Sequence, residues 1–276
     1  MDHEPGHPFP RYRPGQYMAL RREDCRLTER IPGDGVRFGP ALDKEGQPRR
    51  GSVTHSYSLS SAPHETAETS QLEFYVVLEG GPQAPGRLTE SLFRAREGES
   101  LLYVDHIVGS FTLEKRAAGF RHVVLVASGT GLAPFASMVK HLAQGADASL
   151  TDGKRYTLIH ANRTRAELGY NEVLSEIDRK GAFDFVYLPA VSRPGAEDLD
   201  DPGLGTGRAN SLLRAILGVP ETLGQATLPR SRRREELLAR MPPGDTVVMT
   251  CGNPALMQDV ERVATQSGLH FEKEEW

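Results

Sequence analysis

Two glycine turns, a cysteine and a serine-flanked tyrosine are the residues of this 276-residue chain whose types and spacing suit chemistry. Gly129-Thr130-Gly131 stands where the apolar run His122-Val-Val-Leu-Val126 gives way to a helix-like stretch opening Leu132-Ala133-Pro134. Backbone N–H groups at a helix start are unpaired and carry partial positive charge, so they suit a diphosphate. Glycine lets that backbone approach an anion closely. Ala133-Pro134 fills the place of a third glycine, and Pro134 suits a first helical turn. The same residues would also make a tight turn with no ligand. A second turn, Cys251-Gly252-Asn-Pro254, follows the apolar run Thr246-Val-Val-Met-Thr250 and leads into a helical pattern carrying Met257. In an open parallel sheet, ligands bind beyond the carboxyl ends of strands, so the two turns are expected to face one crevice. Cys251 would then touch a cofactor ring; a buried, inert thiol is the competing reading. The third signal is His55-Ser56-Tyr57-Ser58, which also reads as ordinary strand surface. It gains interest beside Gly86-Arg87-Leu88-Thr89, which opens a short helix and offers another anion site.

These residues need elements to position them. From Gly15 to about Leu113, short strand-like runs alternate with turn residues, as at Gln16–Leu20, His55–Ser60, Leu72–Leu78 and Ser100–Val104. That pattern predicts an antiparallel barrel or sandwich. One helix interrupts it, with Leu88, Leu92 and Phe93 on one face. Beyond residue 120, continuous apolar runs at 122–126, 156–160, 185–189 and 246–250 alternate with helical patterns at 167–179, 210–217 and 254–266. Such alternation predicts a parallel α/β sheet. The boundary between the two styles falls near residues 114–121. Residues 194–206 read as a loop, and 219–244 as a polar insertion with a short charged helix.

Composition narrows the classes. With 38% hydrophobic and 25% charged residues the chain is expected to fold rather than remain disordered. A net charge of −4 argues against a general nucleic-acid binder. Two cysteines, Cys25 and Cys251, cannot supply the four thiolates that an iron–sulfur cluster usually needs, and no zinc-type spacing is present. No apolar run is long enough for a transmembrane helix and no signal peptide is apparent, so cytoplasm is the default expectation.

Taken together, the four motifs in this order resemble the ferredoxin–NADP⁺ reductase family, most closely its bacterial ferredoxin/flavodoxin reductases, over roughly residues 14–276. The resemblance implies an FAD-binding antiparallel β-barrel domain over 1–115 and an NADP(H)-binding α/β parallel-sheet domain over 116–276. Tyr57 would stack on the flavin, with Ser58 at its reactive edge and His55 and Ser56 beside it. Phe74, Tyr75, Val76 and Val77 would hold the flavin and its ribityl chain, and Gly86, Arg87, Leu88 and Thr89 the FAD diphosphate. Gly129, Thr130, Gly131, Ala133 and Pro134 would cradle the NADP diphosphate. Cys251, Gly252, Pro254 and Met257 would flank the nicotinamide. Asn162-Arg163, Ser192-Arg193 and Arg208 would meet the 2′-phosphate, whose geometry suits arginine. Trp276 would cover the flavin face opposite Tyr57. Ser58, Cys251 and Glu274 would lie along the hydride path.

Two departures follow. His55 stands where the family carries arginine, and histidine is a cation only when protonated; weaker or pH-dependent FAD binding is the expectation. Only 13 residues precede Pro14, fewer than the usual opening strands need, which predicts an exposed strand edge. The implied electron acceptor is an acidic ferredoxin or flavodoxin, docking on basic residues such as Arg11, Arg13, Arg21 and Arg22 or the run at 230–234. The competing functions are a flavin reductase component of an oxygenase or cytochrome system, and a non-catalytic electron-transfer subunit that binds flavin and nucleotide.

Overall fold

A computed structural model describes residues 8–32, 37–78, 87–145, 147–220 and 224–275. Gly86, the Arg87 side chain and Trp276 therefore lie outside the described residues. The first part holds β1 (Tyr17–Arg26), β2 (Thr28–Ile31), β3 (Arg37–Pro40), β4 (Arg50–Ser58), α1 (Pro63–Thr69), α2 (Arg87–Arg94) and β5 (Leu102–Val108). Its strands are antiparallel, as expected, in a three-stranded sheet ordered β4-β1-β5 and a separate β2-β3 pair. Met18, Leu20, Leu59, Leu72 and Leu88 form its core.

The second part holds α3 (Leu113–Arg116), β6 (His122–Ser128), α4 (Leu132–Ala143), α5 (Ala148–Thr151), β7 (Arg155–Asn162), α6 (Asn171–Lys180) and β8 (Phe185–Val191). There follow α7 (Ala196–Asp200), β9 (Gly205–Thr206), α8 (Ala209–Leu217), α9 (Arg234–Leu238), β10 (Thr246–Cys251), α10 (Pro254–Gln266) and β11 (His270–Lys273). The sheet is parallel and ordered β11-β10-β6-β7-β8-β9. Side chains alternate across it because successive Cβ atoms point to opposite faces. Val123, Leu125 and Ala127 face α4 and α6, while Val124 and Val126 face α8 and α10. Burial on both faces is why these strands read as unbroken apolar runs. No helix among the described residues is long and apolar enough to cross a membrane.

Several expectations are corrected in detail. Residues 72–78 make no strand: Phe74 forms a single bridge with Leu59, and the chain then turns toward the second part. A ladder needs a continuous partner, and the Tyr75 hydroxyl instead donates to Glu167 O at 2.7 Å. Phe93 is 54% exposed, so only Leu88 and Leu92 of its helix face the core. The helix expected from 167 starts at Asn171, after a 3₁₀ turn at Arg165–Glu167 and a left-handed Tyr170 with φ of 58°. Helix α1 was not foreseen, although Pro63 in its first turn and Glu65, whose side chain accepts from Ala62 N at 2.7 Å, are start signals.

One buried ion pair fixes α8 to α10. Arg214 is 2% exposed, and its Nε and Nη2 donate to Asp259 Oδ2 and Oδ1 at 3.1 and 2.5 Å. Asn210 Nδ2 adds a 2.7 Å bond to the same carboxylate. These donors hold the Asp259 carboxyl well below the usual carboxylate range. Asp259→Ala would leave the Arg214 guanidinium buried and without this partner. It is expected to lower the unfolding free energy by about 3–5 kcal/mol, measured by urea denaturation.

Candidate functional site

The carboxyl ends of β6, β7, β8 and β10 open onto a cleft of about 1120 Å³ whose far wall comes from the first part. His55, Ser56, Tyr57 and Ser58 from β4, Tyr75, Val76 and Val77, and Thr89 from α2 line that wall. Opposite them lie Gly129, Thr130, Gly131 and Ala133, Asn162 and Arg163, Ser192 and Arg193, Arg208, and Gly252 and Pro254. Residues far apart in sequence thus share one crevice because each follows a strand of the same parallel sheet.

The two glycine turns are in contact. A Cβ on Gly131 would sit 2.1 Å from Cys251 O, and one on Gly252 2.8 Å from Ser128 O. Gly129, at φ of +56°, meets nothing within 4 Å of its Cβ position. Its side of the turn is open, while Gly131's side is closed by the neighbouring turn. Asn253 caps α10, its Oδ1 accepting from Ala255 N and Leu256 N at 2.9 and 3.3 Å, with Pro254 in the first turn.

Ser58, Cys251 and Glu274 converge. Ser58 Oγ donates to Glu274 Oε1 at 3.0 Å, and Cys251 Sγ donates to Glu274 Oε2 at 2.7 Å. The three are buried, at 6%, 0% and 3% exposure. They arrive from β4, β10 and the residue following β11, whose backbone N–H donates to Thr250 O at 3.1 Å. Burial raises the Glu274 carboxyl to about 6 against the two hydrogen bonds that lower it. Burial also pushes the Cys251 thiol up, and the neighbouring carboxylate adds to that. Cys251 is therefore a held, protonated thiol rather than a thiolate nucleophile.

Two backbone bonds, Ser192 N to Asn162 O at 2.9 Å and Arg193 N to Arg163 O at 2.8 Å, set the loops after β7 and β8 side by side. Arg163 Nε is paired with Glu167 at 3.2 Å. Arg193 and Arg208 are exposed on the cleft and have no ion-pair partner among the described residues. Two unpaired cations in a cleft favour an anionic ligand.

Other expected residues sit elsewhere. Leu88 is fully buried in the core of the first part, and Pro134 and Met257 are buried in the second. Phe74 stands behind Tyr57, ring edge to face at 6.5 Å between centroids. The Tyr75 hydroxyl is turned onto the 167–169 loop, where Gly169 N donates to it at 3.4 Å. The arginines of 230–234 are engaged locally: Arg232 with Asp178, Arg233 with Glu236, Arg230 on the Asp200 carbonyl and Arg234 on that of Ala215. Arg22 is spent likewise on Asp24, Ser91 and Glu99. The cleft also takes in Asn253 of the Cys251–Pro254 turn, and Asn210, Ser211 and Asp259, which the sequence did not single out. Their signal was positional: Asn210 and Ser211 lie in the first turn of α8, Asn253 caps α10, and Asp259 lies in the second turn of α10. Among the described residues no group of three or more His, Cys, Asp or Glu could hold a metal ion.

Comparison with known proteins agrees with this layout. Residues 125–212 match the model of the oxidoreductase NAD-binding domain. The chain is 24% identical over 254 residues to a ferredoxin–NADP reductase of Pseudomonas aeruginosa, covering 88% of this chain and 83% of the relative. It is 33% identical over 184 residues to methane monooxygenase component C of Methylosinus trichosporium, covering 66% of this chain and 46% of the relative. Among solved structures, the flavohem-like FAD/NAD binding domain of a Vibrio cholerae nitric oxide dioxygenase superposes with a TM-score of 0.59 at 18% identity, covering 97% and 87% of the two chains.

Proposed function

We propose that this chain, an oxidoreductase belonging to the ferredoxin–NADP⁺ reductase family, carries FAD and passes electrons between NADP(H) and a one-electron protein carrier such as ferredoxin or flavodoxin. The observation that carries the reading is the convergence of Ser58, on one wall of the cleft, and Cys251, buried behind the Gly252 turn of the other, on the buried Glu274. Bound FAD would supply the exchange between a two-electron hydride and single electrons.

The residues fit such a group. Half-buried Tyr57, backed by Phe74, offers a ring face on the first wall. Thr89 in the first turn of α2 lies where the FAD diphosphate is expected, and His55 stands exposed on the same wall. The open side of Gly129 lets a second diphosphate approach the start of α4. Behind the cleft surface, the Ser58 hydroxyl spends its proton on the buried Glu274. Its lone pairs remain available to accept from a ligand N–H. Glu274 orients the Cys251 thiol in the same way. The two free cysteines suit a reducing, cytoplasmic setting.

Anaerobic addition of NADPH, then NADH, to the FAD-loaded chain tests the reading. Bleaching of the flavin spectrum by NADPH supports it; a chain that neither carries nor takes up FAD sinks it. Arg193 and Arg208 are the groups proposed for the 2′-phosphate. Arg193→Ala is expected to weaken NADPH about 10-fold, one charge-assisted hydrogen bond's worth, and leave NADH unchanged. Titrations of both nucleotides check this, and equal losses would place Arg193 away from the 2′-phosphate.

The one-third identity with methane monooxygenase component C favours a second reading, a reductase component of an oxygenase. Rapid reduction of an oxygenase cluster protein, with ferredoxin and flavodoxin left unreduced, would select it.

A further inference from the structure

Lysine is seldom buried unless it is paired. Lys140, in the third turn of α4, is 7% exposed. Its Nζ lies 2.6 Å from Glu65 Oε2 of α1 and 3.1 Å from Glu73 Oε2, both in the first part of the chain. It also sits 5.2 Å above the ring of Tyr170, whose hydroxyl donates to Ser60 Oγ at 2.8 Å. One turn earlier on α4, Ser137 Oγ donates to Ser61 O at 2.6 Å.

The placement of these contacts matters more than their number. α4 begins directly after the Gly129–Gly131 turn, so Lys140 is rigidly joined to the nucleotide side of the cleft. The groups held by Ser137 and Lys140 flank the other side. Ser61 is three residues from Ser58, which reaches Glu274, and Glu73 is three residues from Val76 of the cleft wall. The two segments that bring the first wall to the cleft are each fastened to α4 just outside it. Pairing a buried ammonium with partly exposed carboxylates contributes little net stability, because desolvation offsets attraction, so its effect is expected on geometry instead.

We propose that Lys140 is a positioning residue: it clasps the first part of the chain to the nucleotide side and so sets the distance across which hydride passes. The proposal rests on the reductase reading. Neither cofactor is expected to touch Lys140, so each should bind normally without it. Only the step that needs both walls in register should suffer, because small misplacements of reacting groups slow transfer steeply.

The test uses the FAD-loaded full chain in anaerobic stopped flow, titrating NADPH against wild type, Lys140→Met and Lys140→Arg. The expected result for Lys140→Met is a limiting rate of flavin reduction lowered about 10-fold or more. The NADPH dissociation constant, FAD content and thermal midpoint stay near wild type, and Lys140→Arg recovers most of the rate. Hydrogen exchange in the same variant should accelerate at 57–61 and 73–77 but not along α4. An unchanged limiting rate, a loss that appears instead in nucleotide affinity or FAD content, a Lys140→Arg variant as slow as Lys140→Met, or unaltered exchange overturns the clasp. A wild-type chain that NADPH does not bleach overturns the reductase reading itself and the clasp's role with it.

Discussion

Gly131→Val is expected to remove nucleotide-driven flavin reduction almost entirely, by about 100-fold or more, through displaced protein groups, whereas Gly129→Ala displaces none and acts only through the room it takes from the proposed diphosphate. Gly131 has φ of −62°, a conformation that any residue adopts, so backbone freedom is not what position 131 requires. Space is. A Cβ there would lie 2.1 Å from Cys251 O, 2.4 Å from Cys251 C and 2.7 Å from the Gly252 Cα, all of them backbone atoms with no rotamer in which to retreat. The two turns would have to part by about an ångström, and a displacement of that size costs on the order of 100-fold in a positioned reaction. Overpacking of this kind also costs roughly 1–3 kcal/mol of stability. Gly129 presents the opposite case: φ of +56° with nothing within 4 Å. Alanine there costs about 1–2 kcal/mol of backbone strain and creates no clash. Stopped-flow reduction and urea denaturation of both variants separate the two effects. A Gly131→Val chain that keeps wild-type rates would mean that the turns are not held in contact.

Glu274→Gln is expected to slow flavin reduction roughly 10- to 100-fold, from the loss of hydrogen bonds to a charged acceptor worth about 1.5–3 kcal/mol. The wild-type rate should rise with pH through about 6, where the Glu274 carboxyl ionises. The ionised form accepts from both Ser58 and Cys251 and keeps the serine lone pairs turned to the cleft. The glutamine variant should lose that ionisation and show a flat profile across the same range. A rise through pH 6 that survives in Glu274→Gln would assign it to another group.

The same carboxyl makes stability depend on pH. Its folded-state value of about 6 lies above its ordinary 4.5, so the folded chain binds the proton more tightly than the unfolded one. The contribution is complete below pH 4.5 and is lost as pH rises through about 6. In total it comes to about 2 kcal/mol, and it is absent from Glu274→Gln. Urea denaturation at pH 4.5 and pH 7 on the two proteins measures the difference.

Much of this site could be read without coordinates, and for particular reasons. The runs at 122–126 and 246–250 are apolar at every position because both faces of a central parallel strand are covered, and that pattern is visible in one dimension. A parallel strand followed by Gly-x-Gly or by Cys-Gly-Asn-Pro carries its ligand turn with it, so the two turns were placed correctly. The His55–Ser58 strand and the helix from Arg87 were legible for the same local reasons. Residues 72–78 were not, because their β-like composition is used for single contacts to another part of the chain rather than for a ladder. The arginine run at 230–234 suggested a docking surface. Arg233 has a partner at helix spacing in Glu236, but those of Arg232, Arg230 and Arg234, namely Asp178 and the carbonyls of Asp200 and Ala215, lie 15 residues or more away and no pattern announces them.

The chain's sequence by itself determined the order of antiparallel and parallel parts, the two glycine turns and the residue types proposed here for an anion, since each depends on neighbours a few positions apart. Tertiary structure alone supplied the hydrogen bonds by which Glu274 joins Ser58 to Cys251, three residues that the family resemblance groups, and decided that Arg163 is paired while Arg193 and Arg208 have no ion-pair partner among the described residues, and that Lys140 is buried against Glu65 and Glu73. Those outcomes depend on which distant groups burial brings within hydrogen-bond reach. Burial also sets how strongly such groups interact and where they titrate, and it is a property of the packed molecule rather than of any segment.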